Sequence, residues 1–269
     1  MKKLVALLCL VSAVSFGQKN KTAWDSAKLK GKVKTYRILD YQFDEAGKPQ
    51  RGSYEAFTEY DNTGKSQKMI IQNGDVYLSY SDTYDANGNL IESVSRDKEN
   101  AVLSKNVYKY DEKGNRIKHD VLTADGIPFM SRENDYNDKG LITERRECMS
   151  GLCTDKVLFA YDKKGFVTEE SRYNKDVLTS KIVYKNDKKG NRLEKIVYDK
   201  DGNIAQKVTT KYDTKNNEVE VNTYDKNGNL TQKKTNVYVY DKKQNWTKKT
   251  ESVDGKPTMI LEQQFEYFK

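Results

Sequence analysis

Histidine, cysteine and proline are scarce in this 269-residue chain, which has one, three and three of them. The single histidine, His119, excludes a histidine-rich metal centre. Its place after a turn predicts a position on a strand surface. The sequence also lacks a Gly-x-Ser-x-Gly motif, a P-loop and a dinucleotide-binding fingerprint. These absences predict a protein that is not an enzyme and holds no metal or cofactor.

Long hydrophobic runs are absent after the N-terminus, and the mean hydropathy is −0.93. The one apolar run, at residues 4–14, follows a Met-Lys-Lys start and precedes small residues at positions 15 and 17. A run of about eleven residues is too short to span a bilayer, and this order of segments is typical of a secretory signal peptide. Residues 1–17 are therefore predicted to be a signal peptide, with a buried N-terminal strand as the alternative. We expect the remaining chain to be exported, to the periplasm or the cell surface, without a membrane span.

A tyrosine–aspartate turn motif recurs along the chain with a period of about 25 residues, which marks a repeat architecture. The clearest copies read YDANGN at residues 84–89, YDEKGN at 110–115 and YDKNGN at 224–229. The main series starts at Tyr60, Tyr84, Tyr110, Tyr136, Tyr161, Asn186, Tyr212 and Tyr240. Looser turns fall midway between these copies, so a turn occurs about every 12 or 13 residues, the spacing of an all-β meander.

The residues of the motif suit a tight hairpin turn. The aspartate caps the backbone two residues further on, and the glycine takes a left-handed conformation that penalises a Cβ. Asn216 fills the glycine position in one copy, and asparagine tolerates this conformation better than most residues. Gln244 fills it in another copy, and we expect a distorted or shifted turn there.

The turns leave about nine residues for each strand, which predicts about eighteen strands. Because sheets twist, we expect an all-β fold in which an elongated antiparallel β-hairpin array forms a curled or spiralling meander sheet. Residues 32–269 are predicted to be one β-repeat domain, preceded by a lead-in segment at residues 18–31. The lead-in segment has a short helical turn near residues 24–28.

The tyrosines of the repeat have two interpretations. Tyr108 and Tyr110 lie two residues apart, so they share one face of a strand, as do Tyr238 and Tyr240. The first interpretation is a framework of cross-strand ladders, worth about 0.2–1 kcal/mol for each pair. The second is a ligand-binding face, for which the candidates are Tyr84, Tyr108, Tyr110, Tyr184, Tyr238 and Tyr240.

Basic residues exceed acidic ones by 48 to 40, a formal net charge of +8. The predicted signal peptide contains two of the lysines and no acidic residue, so cleavage lowers the excess by two. A modest basic excess favours anionic partners such as surface polysaccharide or lipopolysaccharide headgroups, and export argues against nucleic acid. The alternative is that the lysines and aspartates of the turns are solvated turn chemistry. The sequence makes no prediction of an oligomeric state.

Two cysteines follow the predicted signal peptide, since Cys9 lies within it. Cys148 and Cys153 flank residues 149–152, where one of the looser turns falls. Cysteines that face each other across a hairpin meet the distances of a disulfide, and an oxidising compartment preserves the bond. We therefore predict a disulfide that acts as a local staple. A zinc site is disfavoured because no histidine or second cysteine pair accompanies the two thiols.

The Tyr-Asp-x-x-Gly-Asn units resemble the YD repeats of the Rhs and teneurin families over roughly residues 40–250. The resemblance implies a spiralling β-hairpin array outside the cytoplasm. In large relatives this array forms a shell around a toxin domain or a cell-surface adhesion module. This chain is short and ends in a strand-like segment at residues 264–269, so the expected form is an exported one without a toxin domain. No catalytic residues carry over from the resemblance.

These observations predict an exported, non-enzymatic β-repeat protein that binds or scaffolds at the cell envelope. A glycan or another anionic polymer is the predicted ligand, on a face lined by tyrosine and lysine. The alternative is a periplasmic protein-partner role, as an immunity or chaperone-like protein. In that role an exposed strand at the edge of the sheet would pair with another chain.

Overall fold

The structure, a computed structural model, describes residues 22–269. The predicted signal peptide and residues 18–21 of the lead-in segment lie outside this range. One short helix, α1 (Ala23–Ser26), agrees with the expected helical turn and precedes eighteen strands. The strands are β1 (Val33–Phe43), β2 (Pro49–Tyr60), β3 (Ser66–Asn73), β4 (Val76–Tyr84), β5 (Leu90–Arg96), β6 (Val102–Tyr110), β7 (Arg116–Thr123), β8 (Pro128–Tyr136), β9 (Ile142–Met149), β10 (Leu152–Tyr161), β11 (Val167–Asn174), β12 (Val177–Asn186), β13 (Arg192–Asp199), β14 (Ile204–Tyr212), β15 (Glu218–Tyr224), β16 (Leu230–Tyr240), β17 (Trp246–Val253) and β18 (Lys256–Tyr267).

The eighteen strands form one closed antiparallel barrel. Each strand pairs with the next in chain order, and β1 also pairs with β18, with Tyr36 opposite Phe265 and Gln42 opposite Met259. The predictions of an all-β antiparallel fold and of about eighteen strands are confirmed. The elongated, curled or spiralling open sheet was wrong. The curvature of the sheet brings its first and last strands together, where each satisfies the other's free backbone groups.

Two kinds of turn alternate, one at each end of the barrel. The turns that leave even-numbered strands carry the main series of motifs, which starts at Tyr60, and we call their end the tyrosine end. Two further copies, at residues 198–203 and 224–229, leave the odd-numbered strands β13 and β15. The start of β1 and the end of β18 also lie there. The turns that leave odd-numbered strands lie at the opposite end, which we call the far end. Each hairpin repeat thus contributes one turn to each end.

The motif turns have the predicted geometry, as residues 111–115 show. The Asp111 carboxylate accepts hydrogen bonds from the backbone N–H groups of Lys113 at 3.0 Å and Asn115 at 2.8 Å. Gly114 has a φ of 80°, and its N–H donates to the Asp111 carbonyl at 3.0 Å. Because the aspartate caps the turn and the glycine occupies the left-handed position, the motif closes a hairpin wherever it occurs.

The two copies without glycine keep this geometry. Asn216 takes the left-handed conformation with a φ of 66°, as predicted. Gln244 takes it too, with a φ of 69°, and its N–H donates to the Asp241 carbonyl at 3.1 Å as in the glycine copies. The expected distortion at Gln244 was therefore wrong. The surrounding hydrogen bonds hold the glutamine in a conformation that it disfavours on its own.

A bulge follows the motif turns and shifts the alternation of side chains. After the turn of residues 111–115, Tyr110 pairs with Arg116 and Lys109 pairs with Lys118, which leaves Ile117 as an extra residue. Arg116 and His119 therefore point to the same face although they are three residues apart.

The two faces of the wall differ in burial. On β16, Val237 and Val239 are 68% and 54% exposed, whereas Asn236 is 7% exposed. Tyr238 and Tyr240 alternate with the valines and are half-buried. Because side chains crowd on the concave side of a closed ring, we assign the face of the tyrosines to the lumen and call it the inner face. The other face is the outer face.

Side chains of opposite charge pair across strands on the outer face. Lys207 Nζ lies 2.6 Å from Glu194 Oε2, and Lys211 Nζ lies 2.9 Å from Glu220 Oε1. Exposed pairs of this kind contribute little to stability, about 0.2–1 kcal/mol each. They show that the wall of the barrel presents charge to its surroundings.

The lead-in segment covers the seam between β1 and β18. Trp24 donates its ring N–H to the Val33 carbonyl at 2.8 Å, and its ring lies 6.3 Å from that of Tyr60 and 6.5 Å from that of Phe268. The indole therefore contacts residues on both sides of the seam: Val33 on β1 and Tyr60 on β2 at one side, and Phe268 just after β18 at the other. This contact fastens the place where the ring closes.

The lumen is wide. The extensive contacts of each strand are with its two neighbours in the ring. Eighteen strands at a spacing of about 4.8 Å give a circumference of roughly 86 Å, and barrels of this strand number enclose a water-filled space rather than a packed core. The inner face is therefore accessible to a ligand.

Candidate anion-binding site on the inner face

Tyrosine hydroxyls tie neighbouring hairpins together at the tyrosine end. The hydroxyl of Tyr110 donates to the Leu90 carbonyl at 2.8 Å, and that of Tyr136 donates to the Arg116 carbonyl at 2.8 Å. In both cases the acceptor is the first strand residue after the preceding motif turn. The same bond is made by Tyr161, Tyr212 and, through its side-chain amide, Asn186.

The six tyrosines predicted as binding residues lie on the inner face but on three separate arcs of the ring. Tyr84 on β4 lies near Tyr108 and Tyr110 on β6, whereas the others occupy distant strands, Tyr184 on β12 and Tyr238 and Tyr240 on β16. They do not form one site.

Most of these hydroxyls are already engaged within the wall. Tyr184 donates to a Glu170 carboxylate oxygen at 2.9 Å, and Tyr240 donates to the Asp213 carboxylate at 2.8 Å. Tyr84 accepts a backbone N–H, and Tyr110 and Tyr238 donate to backbone carbonyls. Within residues 22–269, only Tyr108 of the six has a hydroxyl without a hydrogen-bond partner. The framework interpretation therefore accounts for five of them and leaves Tyr108 open to a ligand.

Three arginines lie on the inner face of neighbouring strands, the first of them beside Tyr108, and we call Arg116, Arg132 and Arg145 the arginine cluster. They lie on the consecutive strands β7, β8 and β9. The Arg116 guanidinium carbon lies 5.4 Å from the centre of the Tyr108 ring. Burial lowers the pKa of Arg145, and the positive charges of Arg132 and Arg116 lower it further. The three guanidinium groups thus share one electrostatic environment.

One buried asparagine bonds to the side chain of Arg145 and to the backbone of Arg116. Asn134 accepts a hydrogen bond from Arg145 Nε at 3.0 Å and donates one from Nδ2 to the Arg116 carbonyl at 2.9 Å. Tyr136 donates to the same carbonyl. Because Asn134 is buried and uses both ends of its amide, it fixes the spacing of β7 and β9 across β8.

The arginine cluster carries a net positive charge. Arg132 pairs with Glu147, whose carboxylate oxygen lies 2.8 Å from Nη2. In the part of the chain that the structure describes, no carboxylate oxygen lies within 4.0 Å of the guanidinium nitrogens of Arg116 or Arg145. One acidic side chain therefore accompanies three basic ones, and two guanidinium groups are left to bind an anion.

His119 lies on the inner face within the same cluster. Its ring stacks on that of Tyr108 at a centroid distance of 4.7 Å, and Nε2 lies 2.8 Å from Asn106 Oδ1. Burial lowers the pKa of His119 to about 4, and the charges of Arg116 and Arg132 contribute, so the ring is neutral at pH 7. His119 lies on β7, and the bulge after the turn places it on the inner face.

The arrangement suits an anionic group that is attached to a larger molecule. Guanidinium groups bind carboxylate, sulfate or phosphate through paired hydrogen bonds. The rings of Tyr108 and Phe159 lie beside them, the latter 5.4 Å from the Arg145 guanidinium carbon. Aromatic faces next to charged donors offer an apolar surface on which a sugar ring could pack.

Sequence reasoning missed the arginine cluster and emphasised tyrosine beside lysine. Lysines do lie over two of the predicted rings, at 5.3 Å for Lys65 and Tyr84 and at 3.5 Å for Lys215 and Tyr240. Arg132 could have been found from its even spacing to Tyr136, which places it on the tyrosine face. Arg145 follows a bulge, so simple alternation from Tyr136 does not locate it. Arg116 lies across the motif turn from Tyr110, on the next strand.

The predicted disulfide is present between Cys148 and Cys153, whose Cα atoms are 3.9 Å apart. The two residues lie opposite each other on β9 and β10 and staple that hairpin at the far end. Among residues 22–269, no three His, Cys, Asp or Glu side chains are grouped so that they could hold a metal ion. No helix in this range has the length and apolar character needed to cross a membrane.

The comparisons with known proteins concern the fold. No family model and no curated protein matches the chain. A porin-like protein from Bacteroides uniformis is 10% identical, with 87% of this chain and 96% of that chain covered and a TM-score of 0.49. The Tc holotoxin pore of Photorhabdus luminescens is 11% identical over 81% of this chain and 15% of that chain, with a TM-score of 0.36. A putative outer membrane lipoprotein-sorting protein domain from Vibrio parahaemolyticus is 10% identical over 87% and 84%, with a TM-score of 0.22. At these values, no argument about function rests on the similarities.

Membership of the YD-repeat family was a wrong expectation. That family was expected to give an open spiral, whereas the eighteen strands of this chain close through the pairing of β1 with β18. No family model matches the chain. The tyrosine–aspartate motif marks the hairpin turn, whose local chemistry is compatible with a closed barrel as well as with a spiral.

Proposed function

We propose that this chain is an exported, non-enzymatic binding protein of the cell envelope that holds an anionic polymer, such as an acidic glycan, against its inner face. The observation that carries the proposal is the arginine cluster. Two of its guanidinium groups lack a carboxylate partner among the described residues and lie beside aromatic rings in an accessible lumen. Each charge-assisted hydrogen bond to such a group contributes about 1.5–3 kcal/mol.

Export and an envelope location are supported by two features. The N-terminal residues have the pattern of a signal peptide. Cys148 and Cys153 form a disulfide, which persists in oxidising compartments such as the periplasm and the cell exterior. Both features agree with a ligand found outside the cytoplasm, such as a polysaccharide.

The test is binding to a soluble acidic polysaccharide, measured by calorimetry over a range of salt concentrations. Exchanging Arg116 and Arg145 for glutamine should weaken binding at least tenfold, which corresponds to a loss of about 1.4 kcal/mol. The matched control exchanges Lys109 and Lys185, two exposed lysines of the outer face, for glutamine and removes the same charge.

The outcomes separate a site from general attraction. Binding that the arginine exchange weakens and the lysine exchange preserves supports the inner-face site. Equal weakening of binding in both variants would show that the interaction depends on the net charge of the protein and not on the arginine cluster. Absence of binding to acidic polysaccharides of every composition would end the proposal.

The alternative function, binding of a protein partner, was predicted to use an exposed edge strand, and the described residues contain none. Each of the eighteen strands pairs on both sides. A protein partner at another surface stays a prediction.

A further inference from the structure

Large apolar side chains are exposed along one arc of the far end. They belong to six consecutive hairpins, and each lies at or beside the start of an even-numbered strand. We call Leu103, Ile127, Leu152, Val177, Ile204 and Leu230 the apolar rim. These side chains are between 41% and 67% exposed.

The exposure is a property of this end and not of the repeat as a whole. At the tyrosine end, the first residues of β9 and β11 are Ile142 and Val167, which are 3% and 5% exposed. The corresponding first residues of β10 and β12 at the far end, Leu152 and Val177, are among the most exposed apolar side chains of the described chain. The same type of residue is therefore packed away at one end and presented at the other.

The disulfide fixes the middle of the rim. Cys148 and Cys153 bracket the tip of the β9–β10 hairpin, which presents Met149 in addition to Leu152. A closed tip loses less conformational freedom when its apolar side chains are buried against a partner.

The shape of the rim selects the kind of partner. Two shallow concavities of the described residues, one beside the turns of residues 137–165 and one around Arg51 and Gly74, lie away from the apolar rim. The rim side chains lie on the tips of six successive hairpins, so they form a row of projections. A row of this kind suits an extended apolar medium that all the tips enter together, rather than a peptide or helix that needs a groove.

We propose that the apolar rim docks the barrel, far end first, into the interface of an anionic lipid bilayer. Side chains such as Leu152 and Leu230 enter the boundary between headgroups and acyl chains, where apolar residues of peripheral proteins are buried. The basic excess, which remains after cleavage of the predicted signal peptide, attracts the chain to anionic headgroups. Aspartates accompany the lysines of the rim turns, so insertion of apolar side chains, rather than local charge, holds the rim in place.

The test is co-sedimentation of the exported chain, with its N-terminus established by mass spectrometry, with vesicles of phosphatidylcholine and phosphatidylglycerol. The rim variant carries Leu152→Ser, Val177→Ser and Leu230→Ser. The matched control carries Ile117→Ser, Val237→Ser and Val239→Ser, which remove three exposed apolar side chains outside the rim. Since all six side chains are exposed, both variants should melt as the unmodified protein does.

We expect the rim variant to partition onto vesicles at least tenfold more weakly than the unmodified protein, and the control to partition as the unmodified protein does.

Failure of the unmodified protein to bind vesicles would overturn the proposal, as would full binding by the rim variant. Equal losses in the two variants would assign the binding to general apolar exposure. Self-association that the rim variant abolishes, without vesicle binding, would instead identify a second copy of the chain as the partner. No polysaccharide is present, so the result is independent of the proposed glycan binding.

Discussion

At the scale of single residues, the tyrosines of the motif act as joints between repeats. The hydroxyl donates a hydrogen bond to the carbonyl of the first strand residue after the preceding turn, as Tyr110 does to Leu90. This internal bond replaces one that the carbonyl would otherwise make to water. Burial raises the pKa of Tyr161 and Tyr212 to about 12, so these hydroxyls remain protonated donors over the physiological range. The residues that the sequence marks most clearly are thus mainly structural.

Replacing Tyr110 with phenylalanine tests the joint. The change removes the bond to the Leu90 carbonyl and keeps the ring, so the free energy of unfolding should fall by about 0.5–1.5 kcal/mol. Urea denaturation followed by circular dichroism measures the difference. Tyr77→Phe is the control, since the Tyr77 hydroxyl has no hydrogen-bond partner among the described residues. An equal loss of stability in the two variants would contradict the role of the joint.

His119 makes stability depend on pH. The pKa of the buried imidazole is about 4, against an ordinary value of 6.5, so the unfolded chain takes up a proton at a pH where the folded chain does not. The contribution of His119 is fully present above pH 6.5 and is lost as the pH falls towards 4. Allowing for the partial exposure of the ring, the loss should amount to about 1–2 kcal/mol.

The measurement compares the protein with a His119→Gln variant by urea denaturation at neutral pH and at about pH 5, above the range in which most carboxylates titrate. The unmodified protein should lose more stability between the two conditions than the variant does. Parallel losses would show that the imidazole does not titrate differently in the folded and unfolded states.

At the scale of the element, the hairpin turns followed from sequence because their chemistry is local. An aspartate that caps the turn and a residue at positive φ lie within five positions of each other, so no distant contact is needed to specify them. The bulge after the turn is equally local in structure but has no residue signature here. His119 and Arg145 follow such bulges, so their face could not be inferred from their spacing to the preceding tyrosine, and the arginine cluster could not be assembled from spacing alone.

The Gln244 turn offers a stabilising exchange. Gln244 has a φ of 69°, a conformation that costs a residue with a Cβ about 1 kcal/mol relative to glycine. Gln244→Gly should therefore raise the free energy of unfolding by about 0.5–1 kcal/mol, less the entropy that glycine adds to the unfolded chain. The control is Lys243→Gly in the same turn, which should destabilise. Chemical denaturation of both variants measures the effect, and a loss of stability in Gln244→Gly would show that the turn is not strained.

At the scale of the whole molecule, closure decides what the repeats build. The number of strands could be counted from the turns, but whether the two edges of the sheet meet depends on twist, tilt and stagger summed over all eighteen. No residue of the motif encodes that sum. The contact of Trp24 with Tyr60 and Phe268 forms only after the edges meet, so it was not recognisable in the sequence.

Closure can be tested by a cross-link at the seam. Arg37 on β1 lies opposite Gln264 on β18, so cysteines at these positions should form a disulfide under mild oxidation in a chain that also carries Cys9→Ser. The linked product should migrate faster in non-reducing gel electrophoresis. A pair at Arg37 and Thr179, on strands far apart in the ring, is the control. A seam pair that stays reduced while the protein is folded would contradict the closed barrel.

The tyrosine joints also bear on how a wall of this kind could change in size. Each joint connects a repeat only to the one before it, and each repeat brings its own two strands, turn and donor. A tandem duplication of about 25 residues would therefore add two strands and one complete joint without altering any existing one. The diameter of the lumen is in this sense a modular quantity, which gene duplication could adjust in steps of one hairpin.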